Sequence, residues 1–447
     1  MAILTKAPRG TQDVLPEQSA KWQHVERTAL KVSELFGFKE IRFPTFEHTE
    51  LFARGVGDST DVVQKEMYTF NDKGDRSITL RPEGTAGTMR ALIEHGVLGG
   101  ALPVKVSYLT SCFRYEKPQA GRLREFHQFG AELVGAASPA ADAEMIAMVS
   151  QIFDQLQIEG LSLEINSIGC PKCRADYNNA LREYFRSHEE ELCETCRGRL
   201  DRNPMRILDC KSPVCSKIAE GAPVILDYLC DDCREHFEEL QERLSDLGIE
   251  YTVNPTIVRG LDYYTRTVFE FVSNAIGAQG TVCGGGRYDG LIELLGGPAT
   301  PSIGFAMGIE RLLLLMEKTG VPFPEEGSVD IYVGSMGRRA SLEAANIVNS
   351  LRAEGFRAES DVVGRSVKAQ MKYADKIGAV FSCIIGDSEL ENGKVAVKNM
   401  KQGTSDEVEL DELIEYIYEN RLGDVCGALE DGLSDLDGMN IPPEIKF

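Results

Sequence analysis

Eight of the chain's 12 cysteines fall between Cys170 and Cys233, as CPKC at 170–173, CETC at 193–196, Cys210, Cys215, and CDDC at 230–233. A CxxC unit can present two thiolates to one ion, so two tetrahedral four-thiolate sites would use all eight. A single four-thiolate site with four spare thiols, or a helical packing unit rich in cysteine, fits the same spacing. Sulfur also admits iron, so zinc is the choice for closed tetrahedral chemistry rather than a consequence of spacing. The same stretch changes character: helices are expected at 174–188 and 234–247, with few strand patterns, so 170–250 reads as a helical insertion. Cys112, Cys283, Cys383 and Cys426 have no nearby cysteine and are poorer ligands.

The flanks of this stretch share another theme. Pro16 opens a helix whose apolar positions Trp22, Val25, Ala29, Val32 and Phe36 recur every three or four residues, and Gly37 ends it. Strands are expected at 39–43, 67–70 and 77–80, the last two joined by the turn NDKGD. Segments 104–115 and 124–134 read as antiparallel strands around the loop EKPQAGR, followed by a helix at 140–157 and a strand at 161–165. Beyond the insertion come the strand VFEFV at 268–272, the run GTVCGGGRYDG at 280–290 and a helix carrying GIERLLLLM at 308–316. The reading is an α+β domain with an antiparallel sheet, in two parts, 1–169 and 251–325, around the insertion. VPFPEEGS at 321–328 reads as a linker into a compact α/β domain at 329–425, whose last helix is expected at 407–420. The acidic stretch 426–447 carries no amphipathic pattern and is expected to be flexible.

Asp plus Glu number 70 against 48 Lys plus Arg, a net charge of -22, which argues against a long basic surface for indiscriminate nucleic-acid binding. A polyanion must meet local patches instead. Residues 365–401 hold seven Lys or Arg (Arg365, Lys368, Lys372, Lys376, Lys394, Lys398, Lys401) against four Asp or Glu, a local +3. No segment reaches the roughly 18 apolar residues of a membrane span, and MAILTKAPRGTQDVLP lacks the apolar run of a secretion signal. A cytoplasmic protein without a membrane partner is expected.

Three constellations carry chemistry. Arg114, Glu116, Arg122 and Arg124 surround the strand-loop-strand, and the two-residue period puts Gln128 and Glu132 on one strand face. RGLDYYTRTVFE places Arg259, Asp262, Tyr263, Tyr264 and Arg266 together, followed by Gly284, Gly285, Gly286, Arg287 and Tyr288, glycines that would let a planar or phosphorylated ligand approach. Arg311 sits near the start of an apolar helix. Arginine forks suit phosphate oxygens, and separated arginines could clamp a phosphate chain. Surface ion pairs on a hairpin, an Arg259 salt bridge to Asp262 or another carboxylate, and a capping role for Arg311 are the plainer readings. No GxxxxGK[ST] loop and no GxGxxG after an early strand is present.

The three ordered segments FKEIRFPTFEHTELFARGVG at 38–57, SCFRYEKPQAGRLREFHQFGAEL at 111–133 and GFAMGIERLLLLM at 304–316 resemble the motifs of class II aminoacyl-tRNA synthetases. RGLDYYTRTVFE and GGGRYDGL, at 284–291, are similar to marks of the histidyl-tRNA synthetase family, and the resemblance covers about residues 5–425. It implies ATP-dependent joining of L-histidine to tRNA(His) through a histidyl-adenylate, in a homodimer whose interface the first motif helps to build. By the same resemblance, Glu83 and Thr85 hold the histidine amino group, while Gln128, Glu132 and Tyr264 line the amino-acid pocket and Tyr263 supports it. Arg114 is assigned to the α-phosphate of ATP, Arg311 to the γ-phosphate, Glu116 and Arg122 to the nucleotide, and Arg259 to charge at the α-phosphate during attack. Magnesium would assist, Lys117, Gln119 and Arg122 would meet the tRNA acceptor end, and 329–425 would bind the anticodon. Many family members lack the full cysteine set, so the resemblance leaves the metal open, with zinc the candidate for Cys170, Cys173, Cys193, Cys196, Cys210, Cys215, Cys230 and Cys233. The alternative is a catalytically silent, histidine-sensing regulatory subunit of ATP phosphoribosyltransferase. Such relatives depart at catalytic positions and lack the carboxy-terminal module.

Overall fold

The computed structural model describes residues 5–57, 60–210, 212–276, 280–323 and 329–420. The expected 426–447 tail, Cys426, residues 421–425 and most of the 321–328 run lie outside them. Backbone contacts divide the chain into two units, Met1–Pro324 and Glu325–Phe447.

In the first unit Pro16, at a helix position whose N–H needs no partner, opens α1 (Pro16–Leu35), with Val25, Ala29 and Val32 buried. There follow β1 (Lys39–Glu40), β2 (Phe46–His48), α2 (Thr49–Val56), β3 (Thr69–Asn71), β4 (Ser77–Leu80) and α3 (Thr85–Glu94). Only Lys39 and Glu40 of the expected 39–43 strand are paired as strand, and Ile41 N–H adds a last bond to the Ser107 carbonyl (2.8 Å). Strands β2, β4 and β3 form a small antiparallel sheet, and Asp72 closes its NDKGD turn by accepting from the N–H groups of Gly74 (2.8 Å) and Arg76 (3.0 Å).

The main sheet is built from β5 (Val104–Phe113) and β6 (Glu125–Val134), then, after α4 (Pro139–Gln155), from β7 (Leu161–Ser167). Four helices intervene: α5 (Pro171–Arg186), α6 (Glu194–Leu200), α7 (Pro213–Ala219) and α8 (Asp231–Asp246). The sheet resumes with β8 (Thr252–Val253), β9 (Thr265–Ser273), β10 (Thr281–Arg287) and, past α9 (Leu291–Leu294), β11 (Ser302–Gly308), before α10 (Ile309–Thr319). Its eight strands run β1-β5-β6-β11-β10-β9-β7-β8. The outer pairs β1/β5 and β7/β8 are parallel and the rest antiparallel. The helical segment leaves from β7 and returns into its neighbour β8.

Helices α1, α4, α8 and α10 cover one sheet face. Alternation sends Phe129, Ala131 and Leu133 of β6 and Phe269 and Phe271 of β9 into that core. Each such fully buried large side chain contributes about 1.5–3 kcal/mol. The same alternation leaves Gln128, Glu132 and Glu270 on the opposite face. A buried polar node ties the layers: Asp142 of α4 meets Arg287 (2.6 Å), His236 of α8 (2.7 Å) and Thr267 (2.6 Å). Arg287 also donates to the carbonyls of Ala136 and Ser138 (both 2.9 Å), so this member of the glycine-run constellation is wholly buried and structural.

The second unit contains β12 (Ile331–Ser335), α11 (Arg338–Ala353), β13 (Ala358–Ser360), α12 (Val367–Lys376), β14 (Phe381–Ile385), α13 (Asp387–Asn392), β15 (Lys394–Asn399) and β16 (Ser405–Glu409). Its mixed sheet runs β13-β12-β14-β15-β16, with β13, β12 and β14 parallel and the last two antiparallel. The helix expected over 407–420 occupies 413–420, and 405–409 is an edge strand. Val408 is the one apolar residue in that strand, too weak a pattern to announce it.

Candidate functional site

On the sheet face opposite the helical core lies a cavity of about 620 Å³. It brings together Arg114, Glu116, Arg122, Gln128, Arg259 and Arg311, from segments nearly 200 residues apart. Arg114, just past β5, is aimed by its Nε donating to the Pro82 carbonyl (2.8 Å) and by the Phe126 ring, 5.2 Å away. Glu116 stands between Arg114 (3.8 Å) and Arg122 (3.0 Å). Arg311 lies in the first turn of α10, where burial and then the neighbouring Arg122 hold its pKa below the usual arginine value. Burial and the nearby Glu116 carboxylate raise Glu66. A concave site with this many guanidinium groups favours an extended anion.

Arg259 pairs with Glu270, the last residue of RGLDYYTRTVFE, rather than with Asp262. Asp262 instead accepts from Asn203 Nδ2 (3.0 Å). The Arg259 guanidinium lies 5.8 Å from the Tyr264 ring centroid, and its buried Nε–H has no partner among the described residues. Register places Gly284 opposite Glu270, and any side chain on Gly284 would strike the guanidinium. The glycine run expected to admit a ligand therefore first admits the protein's own arginine. The signal for Glu270 is a lone acid within the apolar strand VFEFV, which must find a cation when buried.

Beside the arginines is a buried acid and tyrosine cluster. Glu83 accepts from the backbone N–H groups of Thr85 (2.7 Å) and Ala86 (2.8 Å) at the start of α3, while burial raises its pKa. Thr85 Oγ1 donates to Glu132 (2.7 Å), which is fully buried and also accepts from Tyr108 (3.0 Å) and Tyr288. Burial pushes Glu132 up to about 8 against the pull of these hydroxyl donors. Tyr263 and Tyr264 complete the wall, their ring centroids 4.7 Å apart, with Tyr263 5.5 Å from Tyr288. Gln128, on the same strand face as Glu132, accepts from the Cys112 thiol at 3.4 Å. Tyr108 is a further site residue absent from the sequence expectations: a single tyrosine in a strand that pairs across to Gly130 gives no signal until the register is known.

Gly304 sits opposite Glu132 across β6/β11, and a methyl group there would overlap the Glu132 carboxylate. Gly304→Ala is expected to lower stability by about 1–3 kcal/mol through overpacking. Urea unfolding checks the stability, and a larger fractional loss of substrate turnover than of folded protein shows that the acid has moved.

The remaining expected residues fall elsewhere. Lys117 is exposed on the 114–124 connection and lines none of the described cavities. Gln119 bridges to Arg122 and faces a smaller cavity of about 240 Å³. The eight cysteines form two groups, Cys170, Cys173, Cys230, Cys233 and Cys193, Cys196, Cys210, Cys215, with the sulfurs of each group within 4.8 Å of one another.

A model of the family described as histidyl-tRNA synthetase matches residues 10–312, and one described as anticodon binding domain matches residues 330–420. A histidine–tRNA ligase of Acetivibrio thermocellus is 57% identical over 412 residues, spanning 92% of this chain and 99% of that protein. One from Clostridium novyi is 56% identical over 415 residues, spanning 93% and 98%. The crystal structure of apo histidyl-tRNA synthetase from S. aureus superposes with a TM-score of 0.80 at 45% identity, over 93% of this chain and 100% of that one.

Proposed function

Since this chain belongs to the histidyl-tRNA synthetase family and ligates histidine to tRNA with ATP, we propose that the arginine-lined cavity holds ATP and the acid and tyrosine cluster holds histidine. The observation that carries this reading is the convergence of Arg114, Arg259 and Arg311 on one cavity beside buried Glu132.

In the proposed chemistry the histidine carboxylate attacks the α-phosphorus; a carboxylate–phosphorus bond forms as the bond to the β-phosphate oxygen breaks and pyrophosphate leaves. The nucleophile is already ionised, so no protein base is needed. The obstacles are charge repulsion and alignment. Arg114 and Arg259 would offset charge at the α-phosphate, and Arg311 would hold the γ-phosphate. Glu116 and Arg122, paired with each other, would position the nucleotide. Magnesium fits the site's oxygen donors: Glu66 and Glu116 crowd each other at the cavity wall, and a divalent cation carried by the triphosphate would relieve that repulsion and neutralise phosphate charge. In the second step a hydroxyl of the terminal adenosine of tRNA attacks the histidyl carbonyl, and AMP leaves.

Glu83 and Thr85 would take the histidine amino group, and Gln128, Glu132 and Tyr264 the side chain, with Tyr263 as support. Histidine-dependent exchange of labelled pyrophosphate into ATP tests this: exchange is expected with histidine and not with other amino acids, and its absence in folded protein would count for the regulatory reading. That alternative weighs less because the chain carries the anticodon-binding domain.

Lys117, Gln119 and Arg122 are assigned to the acceptor end of the tRNA. In the anticodon-binding domain Lys368, Lys372 and Lys376 recur along exposed positions of α12. Lys394 and Lys398 of β15 point to the sheet face that carries α12, because Val395 and Val397 point into the core on the other side with α11. Glu407 (3.4 Å) and Glu409 (3.0 Å) neutralise Lys394, so α12 is the stronger anion-facing element. Replacing Lys368, Lys372 and Lys376 together with alanine is expected to raise KM for tRNA and to flatten its logarithmic salt dependence by roughly one unit for each phosphate no longer neutralised. Aminoacylation measured across a salt series checks this, with pyrophosphate exchange, which needs no tRNA, as the fold control.

A homodimer is proposed, supported by Phe46 and Phe70, which the small β2-β4-β3 sheet leaves 56% and 48% exposed within and beside the first motif. Among the described residues no helix is long and apolar enough to cross a membrane. The cytoplasm is the proposed location, and structural zinc in the insertion is the proposed second metal.

A further inference from the structure

We propose that the insertion carries two separate four-thiolate zinc sites, Cys170/Cys173/Cys230/Cys233 at its neck and Cys193/Cys196/Cys210/Cys215 at its centre, and that the neck ion positions the Tyr263–Tyr264 wall. Tetrahedral thiolates on zinc, with bonds of about 2.3 Å, stand about 3.8 Å apart. In the neck group Cys170 Sγ lies 3.6 Å from Cys173 and 4.0 Å from Cys230, and in the central group Cys193 lies 3.9 Å from Cys210. All eight are free thiols. Each CxxC spans the N-cap and first turn of α5, α6 or α8, so the helix start sets the separation of its two sulfurs. Backbone N–H groups also donate to ligand sulfurs, Cys230 to Cys173 (3.1 Å) and Cys193 to Cys215 (3.2 Å), the outer contacts that orient metal ligands. Two groups of four sulfurs packed this tightly, with no histidine or carboxylate among them, select a thiophilic ion in closed tetrahedral coordination.

The neck group joins the point where the chain leaves the sheet after β7 to the point where α8 begins its return. It is tied to the cavity through short bonds. Ile168 N–H donates to the Arg266 carbonyl (2.8 Å), and the Gly169 carbonyl accepts from Arg266 N–H (3.0 Å) and Thr265 Oγ1 (3.2 Å). Arg174, next to Cys173, donates to the Tyr264 carbonyl (3.0 Å). On the side of the central group, Asn203, seven residues from either Cys196 or Cys210, donates to the Asp262 side chain (3.0 Å), whereas the neck bonds end on the backbone carbonyls of Tyr264 and Arg266. The positioning role, unlike the zinc count, rests on the assignment of histidine to the Tyr264 pocket.

The full chain, purified without added metal, is expected to contain two zinc ions, one per thiolate group, by elemental mass spectrometry. Cys196→Ser and Cys233→Ser are each expected to lose one ion and keep the other. Zinc-free protein, iron in its place, or one ion shared by all eight cysteines would overturn the two-site assignment. In pyrophosphate exchange Cys233→Ser should raise KM for histidine roughly tenfold while KM for ATP holds, and Cys196→Ser should change neither. Equal effects of the two variants, or none from Cys233→Ser, would overturn the positioning role. If Cys233→Ser fails to fold, cobalt(II) reconstitution of the unaltered chain decides the count: sulfur-to-cobalt charge-transfer absorption saturating at two equivalents supports it, and saturation at one or none overturns it. Arg174→Ala, which removes the neck's bond to the Tyr264 carbonyl, then decides the positioning role: a raised KM for histidine with KM for ATP held supports it, and no change overturns it.

Discussion

Replacing Arg259 with alanine is expected to lower the maximal rate of histidine-dependent pyrophosphate exchange about a hundred- to a thousandfold, the cost of removing one preorganised donor from a developing charge. The proposed interaction strengthens as negative charge gathers at the α-phosphate, so kcat should fall while the KM values for histidine and ATP move little. The geometry supports this: Arg259 is held by Glu270, stacked beside Tyr264, and its buried Nε–H has no partner among the described residues. Arg259→Ala also leaves Glu270, 18% exposed, without its cation and so destabilises the fold. The double variant Arg259→Ala/Glu270→Gln separates the two effects, because it should recover stability and not rate. A variant whose KM rises while kcat holds would identify Arg259 as a binding group only.

The second large effect concerns Glu132. Glu132→Gln is expected to lower kcat/KM for histidine about a hundredfold, in the range of leaving a buried hydrogen-bond partner unsatisfied. The same change is expected to make the protein more stable at alkaline pH. Burial raises the Glu132 pKa in the folded protein to about 8 from the ordinary glutamate value of 4.5. A carboxyl raised on folding is protonated more readily in the folded state, so its ionisation destabilises the fold progressively between 4.5 and about 8. Glutamine does not titrate, and the hydroxyls of Thr85, Tyr108 and Tyr288 can each donate or accept, so its amide can be satisfied. Urea unfolding at about pH 5 and about pH 9, on either side of the raised pKa, checks the sign: the stability advantage of Glu132→Gln should grow with pH. A constant difference would mean that the carboxyl stays ionised throughout.

Local rules make much of the architecture legible. The apolar period of Val25, Ala29 and Val32, the turn NDKGD, and the alternation in 125–134 announce their elements because each pattern is repeated within a few residues. Gln128 and Glu132 are placed on one face by the two-residue period alone. What escapes depends on register or on weak edges. Tyr108 and Glu270 acquire their roles only when β5 meets β6 and β9 meets β10, and β16 has a single apolar residue to mark it. The convergence of Arg114, Arg259 and Arg311 comes from resemblance rather than from spacing, since no local pattern links segments this far apart. The cysteine spacing limits how many ions could bind, while the fold decides which thiols share one: CPKC joins CDDC, and CETC joins Cys210 and Cys215.

The most direct measurement is a crystal structure of the protein with a non-hydrolysable histidyl-adenylate analogue. Arg114 and Arg259 should lie within hydrogen-bonding distance of the group replacing the α-phosphate, with the imidazole between Glu132 and Tyr264. An analogue bound elsewhere, or in this cavity with its histidyl end away from Glu132, would contradict the account.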